Sequence, residues 1–341
     1  MTQLGRAGVR VSRLCLGTMN FGDRTDKAAS IQIVHEAIDL GINFVDTANM
    51  YASGHCEEIV GEALAGDRRD RVVLVTKGSS PMGDGPNDRG ASRYHLVRAC
   101  EASLRRLKTD RIDLYLVHTA DLTTPVAEIL ETMDILRKQG KILYWGTSKW
   151  PVSRLVQAME LAERHGLEGV TAEQAPYNLA DRSVENELLW TCGQYGIGVM
   201  VWAPLASGIL TGKYHRGQPR EAGSRFEKIE EGRWRLTGEA IDVADKLMPL
   251  AQARGCTLAQ FCHAWLLARP FVTAPIIGPS TVEQLREAVQ SVDIKLTPEE
   301  LAAVDQIIAP GRWVSNFYDG NTFQPMRAAI GIASPDRRKR A

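Results

Sequence analysis

Residues 72–77 read VVLVTK and residues 113–118 read DLYLVH. Each is an apolar run too short for a helix, of the kind found in strands covered on both faces. Each ends in a titratable side chain, Lys77 and His118. NFVD at 43–46 repeats the pattern and ends in Asp46, with Tyr51 following in a loop. Three exits in register predict one mouth lined by an acid, a phenol, an ammonium and an imidazole. In an α/β barrel, that mouth is where chemistry sits.

Working outward, strand-like runs fall at 13–17, 43–46, 72–76, 113–117, 142–146, 170–174, 198–202 and 273–277. Before them, Leu4 and Val9 flank the turn residues Gly5-Arg6-Ala7-Gly8, which predicts a short hairpin. Helical stripes lie between the strands. One uses Ile31, Val34, Ala37 and Ile38, stopped by Gly41. A second begins at Thr124-Pro125, with Pro at the first helical position. A third uses Leu155, Ala158, Met159 and Ala162 and ends at Gly166. Eight alternating units imply parallel strands and favour a closed barrel over an open sheet.

The expected fold is therefore α/β, a (β/α)8 TIM barrel with an N-terminal β-hairpin. The 341 residues suit one such domain, which takes roughly 250 residues plus insertions. Two long connections, 78–91 and 207–238, are expected on the catalytic face. Thr297 and Glu300 predict a capping box for an extra helix. The tail, 309–341, carries Trp313, Phe317 and Tyr318 and is expected to pack near the mouth.

Composition narrows the function. Charged residues make up 24% and the formal net charge is zero, so nothing global draws the chain to nucleic acid or anionic lipid. The basic cluster Arg337-Arg338-Lys339-Arg340 reads as a solvated tail. Six cysteines, Cys15, Cys56, Cys100, Cys192, Cys256 and Cys262, lack CxxC or zinc spacing and read as buried thiols in a reducing compartment. No run approaches the ~18 apolar residues of a membrane span, and the N-terminus lacks a signal-peptide core. The expectation is a cytoplasmic protein with no membrane, nucleic-acid or metal partner.

The four titratable residues form a proton-donating set. A free phenol has a pKa of about 10, high for donation at neutral pH. A lysine ammonium at about 4 Å, in an effective dielectric near 20, favours the phenolate by roughly 4 kcal/mol as an upper figure. Asp46 keeps the ammonium charged and aimed, and His118 can hydrogen-bond a substrate oxygen beside Tyr51. Singly, each has a plainer reading: Asp46 as a turn cap, Lys77 as a snorkelling lysine, His118 as a structural imidazole, Tyr51 as packing. Together those readings require four coincidences on one rim.

Further motifs carry a family resemblance: LGTMNFG at 16–22, GINFVDTANMYASGHCEEIVGEAL at 41–64, GTSKW at 146–150, EQAPYN at 173–178, WAPLASGILTGKY at 202–214 and IIGPSTVEQL at 276–285. With VTK and DLYLVH, they resemble the aldo-keto reductase superfamily over nearly the whole chain. The resemblance implies the barrel, the catalytic tetrad Asp46, Tyr51, Lys77 and His118, and an NADP(H) cofactor bound without a Rossmann motif. It places Trp202 against the nicotinamide ring and Ser148 and Gln174 at its carboxamide. It adds Gly17, Thr18, Met19, Asp46, Pro204, Leu205, Ser207 and Gly278 as cofactor neighbours. Ser280 is implied for the 2′-phosphate, Gln284 and Glu287 for the adenosine, and Lys213 and Arg225 for a clasp from above. Thr281 or Ser280 is also a plain N-cap candidate.

The implied substrate is a small-molecule carbonyl held by Phe21, Asn49, Tyr51, His118, Trp150, Trp313 and Asn316. Polar Asn49 and Asn316 beside aromatic residues suit a keto-sugar, and broad aldehydes suit the same set. The chain departs from some relatives at Ala203, often Ser, and at Lys149, often Asn or Arg. Met50 and Ala52 set the local shape around Tyr51. Potassium-channel beta subunits also resemble this chain and act chiefly as cofactor-holding regulators. They tend to carry Asn where this chain has His118, so the intact set favours catalysis.

Overall fold

The computed structural model describes residues 1–220, 224–228 and 235–331. The chain opens with β1 (Thr2–Gln3) and β2 (Arg10–Val11), paired antiparallel. The barrel strands are β3 (Cys15–Gly17), β4 (Phe44–Asp46), β5 (Val73–Gly78), β6 (Ile112–Val117), β7 (Ile142–Ser148), β8 (Ala172–Pro176), β9 (Gly198–Trp202) and β10 (Val272–Ile277). They are parallel, each pairs with the next in sequence, and β10 closes on β3. All eight expected strands are present, shifted by a few residues at their ends.

The helices are α1 (Lys27–Asp39), α2 (His55–Ala63), α3 (Arg93–Leu107), α4 (Val126–Lys138), α5 (Val152–His165), α6 (Leu188–Tyr195), α7 (Arg225–Lys228), α8 (Gly238–Ala253), α9 (Leu258–Leu267), α10 (Val282–Gln290), α11 (Pro298–Ile307) and α12 (Tyr318–Ala329). Asp26 caps α1 by accepting from the Ala29 N–H, and Gly166 ends α5 in the left-handed region. Thr297 and Glu300 form the expected capping box of α11. Pro125 differs from expectation. Its ψ of 138° is extended, so it stands at the N-cap and Val126 is the first helical residue.

Side-chain parity divides the barrel into two packed layers. Phe44, Val73, Val75, Leu114, Leu116, Ala172, Met200 and Ala274 meet inside it. Val45, Leu74, Tyr115, Val117, Ala175, Val199 and Val201 pack outward on the helices. Leu4 and Val11 of the hairpin join the inner cluster beside Cys15 and Phe44, which start their strands, so the hairpin plugs the N-terminal end. Gly5 is required there: its φ is +56°, and a Cβ would stand 2.4 Å from the Gly196 carbonyl oxygen.

The described part of the tail packs on the segment that follows β8. Backbone N–H groups of Val314 and Ser315 donate to the Ala180 carbonyl. Those of Phe317 and Tyr318 donate to Asp181 Oδ2 at 2.6 and 2.9 Å. Phe317 and Tyr318 are buried, whereas Trp313 is half exposed. The basic cluster 337–340 and parts of the 207–238 connection lie outside the described residues. All six cysteines are free thiols, five of them buried. Among the described residues no helix is long and apolar enough to cross a membrane.

Candidate active site

Continuing the inward parity to the C-terminal end of each strand gives Asp46 after Phe44, Lys77 after Val75, His118 after Leu116, Gln174 after Ala172 and Trp202 after Met200. The barrel thus points an acid, a cation, an imidazole, an amide and an indole at one opening. Tyr51 arrives from a short 3-10 turn, Tyr51–Gly54, in which Ala52 and Ser53 are left-handed. Among the described residues, seven of the nine left-handed non-glycine residues follow the ends of barrel strands in this way: Ala52, Ser53, Ser79, Lys149, Ala203, Ala206 and Ser207. Such backbone is costly for residues with a Cβ, and it clusters where geometry serves function.

Lys77 is fully buried. Its ammonium donates to Asp46 Oδ2 at 2.7 Å, to the Thr47 carbonyl at 2.7 Å and to the Tyr51 oxygen at 3.3 Å. Burial works against its charge, but Asp46 and Tyr51 outweigh burial and its pKa rises. Burial pushes Asp46 above the usual carboxylate range, against the pull of Lys77. The phenol departs from the sequence-based expectation. Burial raises the Tyr51 pKa, and Lys77 reduces that rise without reversing it. Tyr51 therefore holds its proton firmly until a stronger base forms beside it.

His118 lies edge-on to Tyr51, with ring centroids 6.0 Å apart. Burial depresses its pKa well below the ordinary imidazole value, and Lys149 and Lys77 depress it further. It is a neutral ring. Nδ1 lies 3.2 Å from Ser80 Oγ. With that hydroxyl donating, Nε2 carries the hydrogen and is free to donate.

The residues expected to hold a dinucleotide fall into three groups. Gln174 Nε2 donates to Asp46 Oδ1 at 2.8 Å, leaving its amide oxygen without a donor among the described residues. Ser148 Oγ donates to the Gln174 carbonyl at 3.0 Å, and its lone pairs can accept a carboxamide N–H. Trp202 is half-buried nearby at the end of β9, edge-on to Phe317. Gly17 and Thr18 are buried between β10 and Asp46, Thr18 Oγ1 donating to the Asp46 carbonyl. Met19 is exposed on the rim.

The second group stands where β10 leads into α10. Thr281 is the N-cap, accepting from Gln284 N–H. Ser280 precedes it, and its own N–H donates to Gln284 Oε1 at 2.8 Å. Asn20 Nδ2 donates to both Ser280 Oγ and the exposed Gly278 carbonyl, each at 3.2 Å. Glu287 accepts from Thr257 Oγ1 at 2.6 Å, which ties it to the start of α9.

The third group lies in the connection after β9, where Pro204 is buried and Leu205 and Ser207 are half-buried. The Tyr214 and Phe226 rings meet 5.5 Å apart, which brings the flanking cations Lys213 and Arg225 into one neighbourhood.

The proposed substrate residues divide. Trp313 is exposed, and Asn316 is buried beside Phe317. Phe21 and Trp150 have no exposed surface. Phe21 is part of the packed outer core, and Arg154 lies 5.4 Å over the Trp150 ring. Both back the wall rather than line it. Asn49 is also fully buried, and it borders a groove formed with Met82, Asp88 and His95 on the α3 side. All three residues lack exposed surface, a matter of side-chain direction that a loop sequence does not reveal.

Four contributors escaped sequence reasoning. Arg24 donates to Asn20 Oδ1, placing a second cation close to Ser280. Arg235 stands 4.7 Å over the Phe317 ring and 6.0 Å over Trp202. Ser80 orients His118. Glu173 is fully buried, accepts from Thr147 Oγ1 and from Trp150 N–H, and is pushed up to about 8 by burial. A carboxylate within a short strand run was the available signal for the last.

The sequence profile of the Aldo/keto reductase family matches residues 13–309. This chain belongs to the aldo/keto reductase family. Among its relatives is the uncharacterized oxidoreductase YrpG of Bacillus subtilis (strain 168), 44% identical, with 91% of this chain and 96% of that one aligned. A probable voltage-gated potassium channel subunit beta of Oryza sativa subsp. japonica is 38% identical, over 89% of this chain and 95% of that one. A putative channel subunit beta of Schizosaccharomyces pombe (strain 972 / ATCC 24843) is 36% identical, over 89% and 92%. The fold and reaction type of an oxidoreductase follow from this membership.

Proposed function

We propose that this aldo/keto reductase uses NADPH to reduce an aldehyde or ketone to an alcohol, with Tyr51 as the proton donor. The observation that carries the proposal is the Asp46–Lys77–Tyr51 chain, in which a fully buried ammonium touches both the carboxylate and the phenol oxygen. When bound, the dinucleotide supplies the hydride that reaches the carbonyl carbon. His118, neutral and with Nε2–H available, donates to the carbonyl oxygen and fixes its direction. As negative charge grows on that oxygen, it becomes more basic than the phenolate, and Tyr51 gives up its proton. Lys77 then stabilises the tyrosinate, and Asp46 keeps Lys77 in place.

The donor set of this chain fits a nicotinamide dinucleotide. Ser148 and Gln174 have acceptor capacity left for a carboxamide, and Trp202 offers an aromatic shelf. Ser280 stands at the start of α10, a favourable place for a phosphate, with Arg24 joined to it through Asn20. An extra phosphate met by Ser280 and Arg225 favours NADPH over NADH. A cytoplasmic location follows the same reading of a soluble metabolic enzyme with free thiols. The substrate class remains shared between a keto-sugar and simple aldehydes.

The test is oxidation of NADPH and of NADH with a keto-sugar nucleotide, a free oxidised sugar and an aromatic aldehyde. Turnover with NADPH supports the assignment, and no turnover with any of the three removes it. The second reading is a cofactor-holding regulatory subunit, favoured by the 38% identity to the rice channel subunit. A tight complex with a channel in a pull-down, without carbonyl reduction, would put it first.

A further inference from the structure

Lys149 is the first residue beyond β7. Val117 of β6 pairs with Thr147, so His118 stands level with Ser148 on the neighbouring strand and Lys149 follows directly. The backbone at Lys149 is left-handed, with φ +59°. Its N–H donates to the Gln174 carbonyl at 3.1 Å, and its carbonyl accepts from Thr322 Oγ1 at 3.3 Å. The residue is thus tied between β8 and α12, over the tetrad. The residue is half-buried, and its pKa is lowered to about 8, first by burial and then by Lys77 and Arg235, with Glu173 opposing them.

Glu173 is the acidic group that favours this ammonium. No carboxylate of the described residues pairs with it at ion-pair distance. Glu173 is engaged with Thr147 and Trp150 and is held largely protonated near neutrality. Lys77 is different, because Asp46 balances it. An unbalanced cation in a poorly solvated cleft favours an anion there. The dinucleotide phosphates do not account for it. Their expected seat lies between β10 and β3, three and four strands away around the closed barrel.

We propose that Lys149 forms an anion subsite in the substrate mouth, and that the preferred substrate is an aldehyde or ketone carrying a carboxylate remote from the reacting carbon. This rests on the reductase reading and narrows its substrate class. The left-handed turn at the end of β7 keeps Lys149 close enough to His118 to depress its pKa. A carboxylate bound there leaves the carbonyl at the other end of the molecule to meet Tyr51.

The test compares 4-formylbenzoate with its neutral methyl ester at saturating NADPH and low ionic strength. The expected preference in kcat/KM for the carboxylate is about fivefold, carried by KM and reduced by added salt. Lys149→Met collapses that ratio toward one, and Lys149→Arg keeps it. A second readout needs no turnover: calorimetric binding of 4-(hydroxymethyl)benzoate to the enzyme with NADP+ is weakened in Lys149→Met. Equal use of acid and ester by the native enzyme would overturn the proposal. So would a ratio unchanged in Lys149→Met, or a loss confined to NADP+ affinity. If neither aldehyde is reduced, the reductase reading fails, while the calorimetry still reports on the subsite.

Discussion

The two ends of the barrel are built to opposite rules. At the N-terminal end, Leu4 and Val11 close the interior against Cys15, Phe44, Val73 and Leu114 with apolar contact alone. At the C-terminal end, the same inward positions hold Asp46, Lys77, His118 and Gln174, all buried. The backbone differs in the same way. Left-handed non-glycine residues follow β4, β5, β7 and β9, whereas among the described residues only Lys108 and Phe271 lie elsewhere. Apolar burial stabilises by roughly 25 cal/mol per Å², while buried ions and strained turns cost free energy. The lower end therefore holds the fold, and the upper end spends part of that stability on chemistry.

Substitutions at the two ends should separate these roles. Lys77→Met has the largest expected effect. Turnover of any aldehyde falls by about 10²–10⁴-fold, the usual range for lost acid–base assistance. Stability falls by about 3 kcal/mol, because Asp46 is left buried without its partner. Since burial already raises the Asp46 pKa, protonation relieves that loss, and the variant's deficit in urea unfolding should shrink as pH falls. A deficit independent of pH would mean that Asp46 is not the stranded charge.

Leu4→Ala comes next and acts at the other end. Leu4 is fully buried, so the expected loss is about 2–4 kcal/mol in urea unfolding, with kcat per folded molecule retained. A kcat that falls in proportion to stability would break the division of labour. Ser53→Gly is smaller. Ser53 is exposed with φ +55°, so glycine relieves strain, offset in part by the greater entropy it gives the unfolded chain. The expected gain is about 0.5 kcal/mol, measured by thermal unfolding.

The smallest effect is an absence of change. Burial, Lys149 and Lys77 keep His118 neutral well below pH 6.5. For an uncharged aldehyde, kcat/KM should then stay level between about pH 6 and 8. An inflection near the ordinary imidazole pKa would show that His118 titrates during catalysis.

The sequence made the barrel legible because each strand is an apolar run bounded by turn or helix signals. Asp46, Lys77 and His118 were legible because a titratable residue at the end of such a run is unusual. Direction was harder. Phe21, Asn49 and Trp150 share loops with functional residues yet are fully buried, Phe21 and Trp150 within the outer core and Asn49 toward α3, and only side-chain packing decides that. The balance between burial and charge at Tyr51 was equally hidden. Lys77 does contact the phenol, but desolvation is the larger influence. Arg24 and Arg235 reach the site through loops whose path has no strand-like period to reveal it.

The most direct test is single-turnover reduction of a neutral aromatic aldehyde by the NADPH-loaded enzyme, comparing native protein with Tyr51→Phe. NADPH affinity, followed by quenching of tryptophan emission, serves as the control for an intact site. The account predicts that the variant still binds NADPH and that its reduction step slows by about a hundredfold or more. A variant that binds NADPH and reduces the aldehyde at the native rate would show that the proton comes from elsewhere.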